Sequence, residues 1–234
     1  MHNISEYLGQ RLWSTDNMLF RGVSDSSYTL KTSIGRQLSK EPSALREYER
    51  TIFDKFKNTA IQYLDREPAN DYEWLFLAQH YGIHTRLMDW TSNPLIALYF
   101  ACEKNPDKEC AVYKTLVRTW LKDLTDCDPF EPGDLDLENI YGVRPRHTNL
   151  RYINQSGVFT IHFVPERELE GNMITKYLIS PEAKAEMRWQ LQKLGINAKF
   201  VYPGLDSLAK DIVDECSYIL DDGRINVSGN QFEP

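Results

Sequence analysis

The residues most able to do chemistry lie in one segment, Gln79-His80-Tyr81-Gly82-Ile83-His84-Thr85-Arg86-Leu87-Met88-Asp89-Trp90-Thr91-Ser92-Asn93-Pro94. It sets hydrogen-bonding side chains between two apolar runs, Trp74 to Ala78 before it and Leu95 to Ala101 after it. Polar groups carried toward a core must find partners, so this density implies an internal network or a ligand. Upstream, Arg21 ends an apolar run and offers a planar donor fork. Each residue also has a plainer reading. Arg21 is as well suited to pairing with Asp89, and Arg86, inside an apolar stretch, to a structural ion pair. His80 and His84 fit helix-end positions as well as proton transfer. Thr91, Ser92 and Asn93 fit capping, a role compatible with anion binding at the same helix start. Tyr28 fits the core or a face for a base.

These residues need elements to hold them. Residues 17–22 read as a short strand carrying Arg21, followed by a turn-prone stretch to Ser27 and extended or turn structure through Arg36. Pro42 opens an amphipathic helix, with Leu45, Tyr48, Ile52, Phe53, Phe56, Ala60 and Tyr63 at three- and four-residue steps, ending before Pro68. A second helix spans about Tyr72 to Tyr81 and stops at Gly82. Thr85 to Trp90 reads as a strand, and Asn93-Pro94 starts a third helix whose buried side holds Leu95, Leu98, Tyr99 and Cys102. Ala111 to Val117, Gly157 to Val164 and Met173 to Ile179 read as strands. Asp123 to Arg151 reads as a long loop, Ser180 as the N-cap of a helix to about Leu194, Lys199 to Tyr202 as a strand, and Leu205 to Cys216 as a helix. The tail from about Asp222 reads as weakly ordered.

The 234 residues, 41% apolar, suit one well-filled core. With 13 Tyr, 10 Phe and 5 Trp the chain is rich in flat surfaces for a core or a ligand. A net charge of −7 opposes general attraction to polyanions. Against it, Arg144, Arg146, His147 and Arg151 concentrate positive charge, as a solvated loop or as a recognition loop for RNA or DNA. The four cysteines form no CxxC pair, so reduced thiols and no structural metal are expected. Met1 to Trp13 has no signal pattern, and no apolar run nears the roughly 18 residues of a membrane span, so a soluble, cytoplasmic protein is expected.

Phe20-Arg21-Gly22, the Gln79 to Asn93 segment with Ala97 to Ala101, and Gln155-Ser156-Gly157-Val158-Phe159-Thr160 together resemble the FRG domain, named for its Phe-Arg-Gly motif. Gly195-Ile196 and Tyr202 to Asp206 fit the same pattern, so the resemblance runs from about Leu19 to Lys210. More distantly, the chain is similar to ADP-ribosyltransferases of the arginine–serine–glutamate type. Arg21, the Asp89 to Pro94 strand end running into an apolar helix, and Gln155 follow that order. The resemblance implies an α+β fold: an ADP-ribosyltransferase-like mixed β core flanked by helices, in a single domain over residues 1–234.

It also implies an NAD-dependent ADP-ribosyltransferase toxin in a bacterial toxin-antitoxin or anti-phage setting, with NAD as substrate and no metal. A macromolecule would be the acceptor, with RNA or DNA met by Arg144, Arg146 and Arg151, and an inhibitory protein would be a partner. The catalytic group would be Arg21, Asp89, Thr91 and Gln155. The dinucleotide would touch Arg21, Gly22, Tyr28, His80 and Thr85, and also Arg86, Trp90, Ser92, Asn93 and Phe159. One departure matters: Gln155 stands where a glutamate is expected, and an amide cannot act as a general base or balance a cation. Either Asp89 supplies the charge or activity is weak or lost. The alternatives are therefore a nucleotide-sensing or protein-binding module without catalysis, and an NAD glycohydrolase.

Overall fold

The computed structural model describes residues 1–10, 17–37, 41–122, 124–125, 127–137, 139–145, 150–171 and 174–216. Arg146, His147, Met173 and the tail from Asp222 lie outside the described residues. Strands β1 (Met18–Val23), β2 (Leu87–Thr91), β3 (Cys110–Leu116), β4 (Thr119–Trp120), β5 (Tyr141–Val143), β6 (Gly157–Ile161) and β7 (Ile174–Ile179) form one sheet in the order β4-β5-β6-β2-β1-β3-β7. Neighbours run antiparallel except the β4–β5 pair. Helices α1 (Ile4–Leu8), α2 (Pro42–Ala60), α3 (Asp71–His80), α4 (Pro94–Cys102), α5 (Leu150–Asn154), α6 (Pro181–Lys193), α7 (Ala198–Val201) and α8 (Leu205–Cys216) flank it, giving an α+β chain.

Strand alternation assigns the faces. Phe20 of β1 joins Ile96, Leu98, Val112, Met187 and Leu191 beneath α4 and α6. Leu87, Phe159 and Ile161 join Phe53, Tyr72 and Leu75 beneath α2 and α3. Their strand neighbours Leu19, Val23, Met88, Trp90 and Val158 form a third buried group with Ala111 and Tyr113. Pairing along the sheet is uneven. β1 is in register with β3 from Met18–Leu116 to Val23–Ala111, and β2 with β6 from Leu87–Ile161 to Thr91–Gly157. Between these two ladders, β1 and β2 meet only where Phe20 faces Thr91. Past that pair the sheet opens.

Glycine lets α4 close over one side of this opening. A Cβ on Gly22 would lie 1.9 Å from the Ala97 carbonyl oxygen and 2.6 Å from the Ala101 nitrogen, so only glycine allows the strand and helix backbones to approach so closely. α4 starts as expected, with Pro94 in its first turn and the Asn93 side chain accepting from the Leu95 amide at 2.9 Å. It is buried on almost every side, and Leu95 is the half-buried member of the expected face.

Several expectations need correction. The segment expected as a strand over Lys199 to Tyr202 is the helical turn α7, because Asn197 caps the Phe200 amide and the Asp211 carboxylate accepts from the Ala198 and Lys199 amides. The expected loop over 123–151 contains β5, whose buried Tyr141 and Val143 pair with β6, and the start of α5. On α2 the buried stripe is Leu45, Glu49, Phe53 and Ala60, whereas Tyr48 and, beyond the helix, Tyr63 are exposed. Ser180 stands at the N-cap position of α6 as expected, but its side chain makes no capping hydrogen bond. Among the described residues no helix is long and apolar enough to cross a membrane.

Candidate active site

The opening between β1 and β2 leads into a cleft of about 800 Å³. Arg21 from β1, Asp89 and Thr91 from β2, and Gln155 from the turn before β6 all line it. So do Gly22, Tyr28, His80, Trp90 and Phe159 among the expected dinucleotide contacts. The Arg21 guanidinium spans the gap between the strands, donating to the Asp89 backbone oxygen at 2.7 Å and lying 3.5 Å from its carboxylate. Arg21 is thus both paired and part of the cleft wall.

Asp89 is held from two sides while 58% of its side chain stays exposed. Gln79 Nε2 donates to Oδ1 at 2.8 Å. Thr85 Oγ1 donates to Gln79 Oε1, fixing the amide so that its nitrogen faces Asp89, and accepts from the Leu87 amide at 3.1 Å. Thr85 is only 1% exposed and lies off the cleft wall, so it positions Gln79 instead of touching a ligand. Gln79 was not among the expected site residues. Its signal was its place on the last turn of α3, ten residues before the carboxylate it holds.

Arg86 is also corrected. Its side chain is 3% exposed and forms a fork with Glu49, Nε to Oε1 at 3.0 Å and Nη2 to Oε2 at 2.6 Å, with Nη1 donating to the Pro129 carbonyl. A guanidinium so fully engaged has no role in the cleft. Ser92 and Asn93 do not line the cleft either: Asn93 caps α4, and the Ser92 amide donates to the Ser156 carbonyl at 3.2 Å.

Thr91 and Gln155 stitch the floor together. Thr91 Oγ1 donates to the Gln155 carbonyl at 2.7 Å and accepts from the Asn93 amide at 2.9 Å. Gln155 Nε2 donates to the Val201 carbonyl at 3.0 Å, tying the end of α5 to α7. A carboxylate at this position would set an oxygen against that carbonyl, which explains in physical terms why an amide stands here. Ser156 takes a left-handed φ of 47° as the chain turns from α5 into β6.

Aromatic rings build the wall between core and cleft. Phe76 stacks on Phe159 at 5.0 Å, Tyr152 meets Phe159 at 5.8 Å, and His80 meets Tyr152 at 5.7 Å. Burial, and then the Arg151 charge, hold the His80 imidazole below its usual pKa, favouring the neutral form at pH 7. Burial and the Asp89 charge push the Tyr152 phenol up. Tyr28, 51% exposed, lines the opposite rim and is not a core residue.

The structure adds residues the sequence did not suggest. Glu103, at the end of α4, accepts from the Tyr202 hydroxyl at 3.0 Å and pairs with Lys210 at 3.7 Å. Phe100, Lys104 and Arg36 also line the cleft. Of the expected basic segment, Arg151 lines the cleft with its guanidinium 5.0 Å from the Tyr202 ring, whereas Arg144 lies over the Trp120 ring at 4.1 Å and outside the cleft lining. The lining therefore carries Arg21, Arg36, Lys104 and Arg151 against Asp89 and Glu103, a cationic excess in a chain of net charge −7.

No curated protein and no solved structure matches the chain. Residues 16–110 match the family model of the FRG domain, a span that takes in the Phe20-Arg21-Gly22 strand and the Gln79 to Asn93 segment but stops before Gln155. The two elements whose separation opens the cleft, β1 and β2, thus both lie within the span that is similar to the FRG domain.

Proposed function

We propose that the cleft binds NAD and transfers its ADP-ribose to a macromolecule, on a fold of the ADP-ribosyltransferase type. The observation that carries this reading is the convergence of Arg21, Asp89, Thr91 and Gln155, from three separate parts of the chain, on one cleft walled by aromatic rings. Its volume lies in the range of small-molecule and cofactor sites, and its cationic lining suits a diphosphate. In the reaction the bond between nicotinamide and ribose breaks and nicotinamide leaves with the bonding electrons. The acceptor forms the new bond to the ribose carbon and loses a proton. The transition state carries positive charge on the ribose, and Asp89, fixed by Gln79 and Arg21, is the carboxylate suited to offset it. Thr91 and Gln155 act by holding the floor of the cleft.

A bacterial toxin or phage-defence role follows from the distant resemblance, with an inhibitory protein as its natural partner. Arg151 at the cleft favours an acceptor bearing phosphate, RNA or DNA, although the acidic chain as a whole does not. A second reading, a nucleotide-binding module without catalysis, draws on Gln155, whose amide is occupied by Val201. The test is incubation with NAD labelled on the adenylate, with and without cellular RNA, DNA and protein, following nicotinamide release and label transfer together. Transfer that is lost in Asp89→Asn supports the transferase. Nicotinamide release without transfer replaces it with a glycohydrolase, and stabilisation by ADP-ribose with neither event replaces it with the binding module.

A further inference from the structure

One arginine in the cleft is not used by the reading above. Arg36 sits on the turn from Thr32 to Gln37, and that turn is pinned from several sides. Ser33 Oγ donates to the Thr85 carbonyl at 3.1 Å and accepts from the Thr85 amide at 2.9 Å, while the Ile34 amide donates to the same carbonyl. Thr32 Oγ1 donates to the Pro165 carbonyl at 3.0 Å, and a Cβ on Gly35 would lie 1.7 Å from that oxygen. Ile34 is fully buried. A turn this constrained gives Arg36, itself exposed, a rigid base from which to meet a ligand.

The charge balance around it is uneven. Arg36 and Arg21 line the same cleft, and the carboxylate nearest Arg21, Asp89, already accepts from both Gln79 and Arg21. Arg36 Nη1 donates to the Lys31 carbonyl at 2.8 Å, a neutral partner that offsets none of its charge. Ser24, Ser27 and Thr29 line the same cleft. We propose that Arg36 and Arg21 together form a two-guanidinium subsite for the diphosphate of a nucleotide, with Arg36 offering the part of its fork that the Lys31 bond leaves open. Partial burial and then the Arg21 charge lower the pKa of Arg36, the Asp89 charge opposing them only in part, and a bound anion would relieve the remaining cost. The subsite is the phosphate-binding half of the proposed NAD site, but its ligand chemistry does not depend on catalysis.

Calorimetric titration with ADP-ribose, ADP, inorganic pyrophosphate and adenosine tests it on the intact chain. Arg36→Gln is expected to weaken ADP-ribose and ADP by about tenfold or more, as loss of charge-assisted hydrogen bonds does, and to leave adenosine unchanged. Arg36→Lys should recover part of the loss, since it restores charge without the fork. Equal binding of ADP-ribose by wild type and Arg36→Gln overturns the subsite, as does wild-type protein that binds none of the three phosphate probes. Diphosphate binding without nicotinamide release upholds the subsite while removing the transferase. NAD consumption unaffected by Arg36→Gln does the reverse.

Discussion

Arg21 and Arg86 look alike in the sequence, each a lone arginine beside apolar residues, yet the fold gives them different work. Arg86 is enclosed with Glu49, so removing the guanidinium strands a carboxylate in the core. Arg86→Met should therefore cost about 3–5 kcal/mol in urea denaturation. Arg21 reaches solvent, and its partner Asp89 is largely exposed, so Arg21→Ala should cost only about 1 kcal/mol while abolishing ligand binding. If the two losses of stability prove equal, the division between a structural and a functional arginine fails. The sequence held a clue to the difference: Leu45, Glu49 and Phe53 fall at four-residue steps, so a carboxylate occupies a core position of α2 and requires a buried cation. Which cation it meets depends on how α2 crosses the sheet, and no local pattern carries that.

At the scale of elements, helices with strong starts and the longer strands were legible, and the two- and three-residue strands β4 and β5 were not. Asn93-Pro94 and Pro42 mark the starts of α4 and α2 because a cap and a fixed φ act within one turn. β5 was missed because its three residues gain their stability from pairing with β6, a contact formed across the fold. α7 was read as a strand because its apolar run is short and its helical turn is held by Asp211, a residue outside it. The close approach of β1 and α4 was equally hidden, although Gly22 marks it. Gly22→Ala should force the two backbones apart and cost about 1–3 kcal/mol, as overpacking does. Because the same contact borders the cleft, ADP-ribose binding should weaken in this variant even where it remains folded. A Gly22→Ala protein with unchanged melting and unchanged binding would show that α4 does not set the width of the opening.

Across the whole molecule, two well-paired ladders joined at one residue pair leave a cleft within a single sheet, and the order of Arg21, Asp89 and Gln155 in the sequence anticipated their meeting there. What the order did not reveal is the network beneath the sheet that ties its stability to pH. Trp90 Nε1 donates to Thr160 Oγ1 at 2.9 Å, and the same hydroxyl lies 2.9 Å from His162 Nε2, within reach to donate to a neutral ring. Burial, and then the Arg21 charge, lower the His162 pKa to about 4. The unfolded chain takes up a proton near pH 6.5 and the native chain does not, so stability falls as pH drops from 6.5 toward 4 and this contribution levels off below. The loss should be on the order of 3 kcal/mol, superimposed on the titration of the carboxylates. Urea denaturation of wild type and His162→Gln at pH 7 and pH 4.5 separates the two, because the variant keeps the carboxylates and lacks the imidazole. Its stability should fall less over that interval than that of wild type; an equal fall would mean that His162 is protonated in the native protein, and that the Thr160 hydroxyl does not face it as a donor.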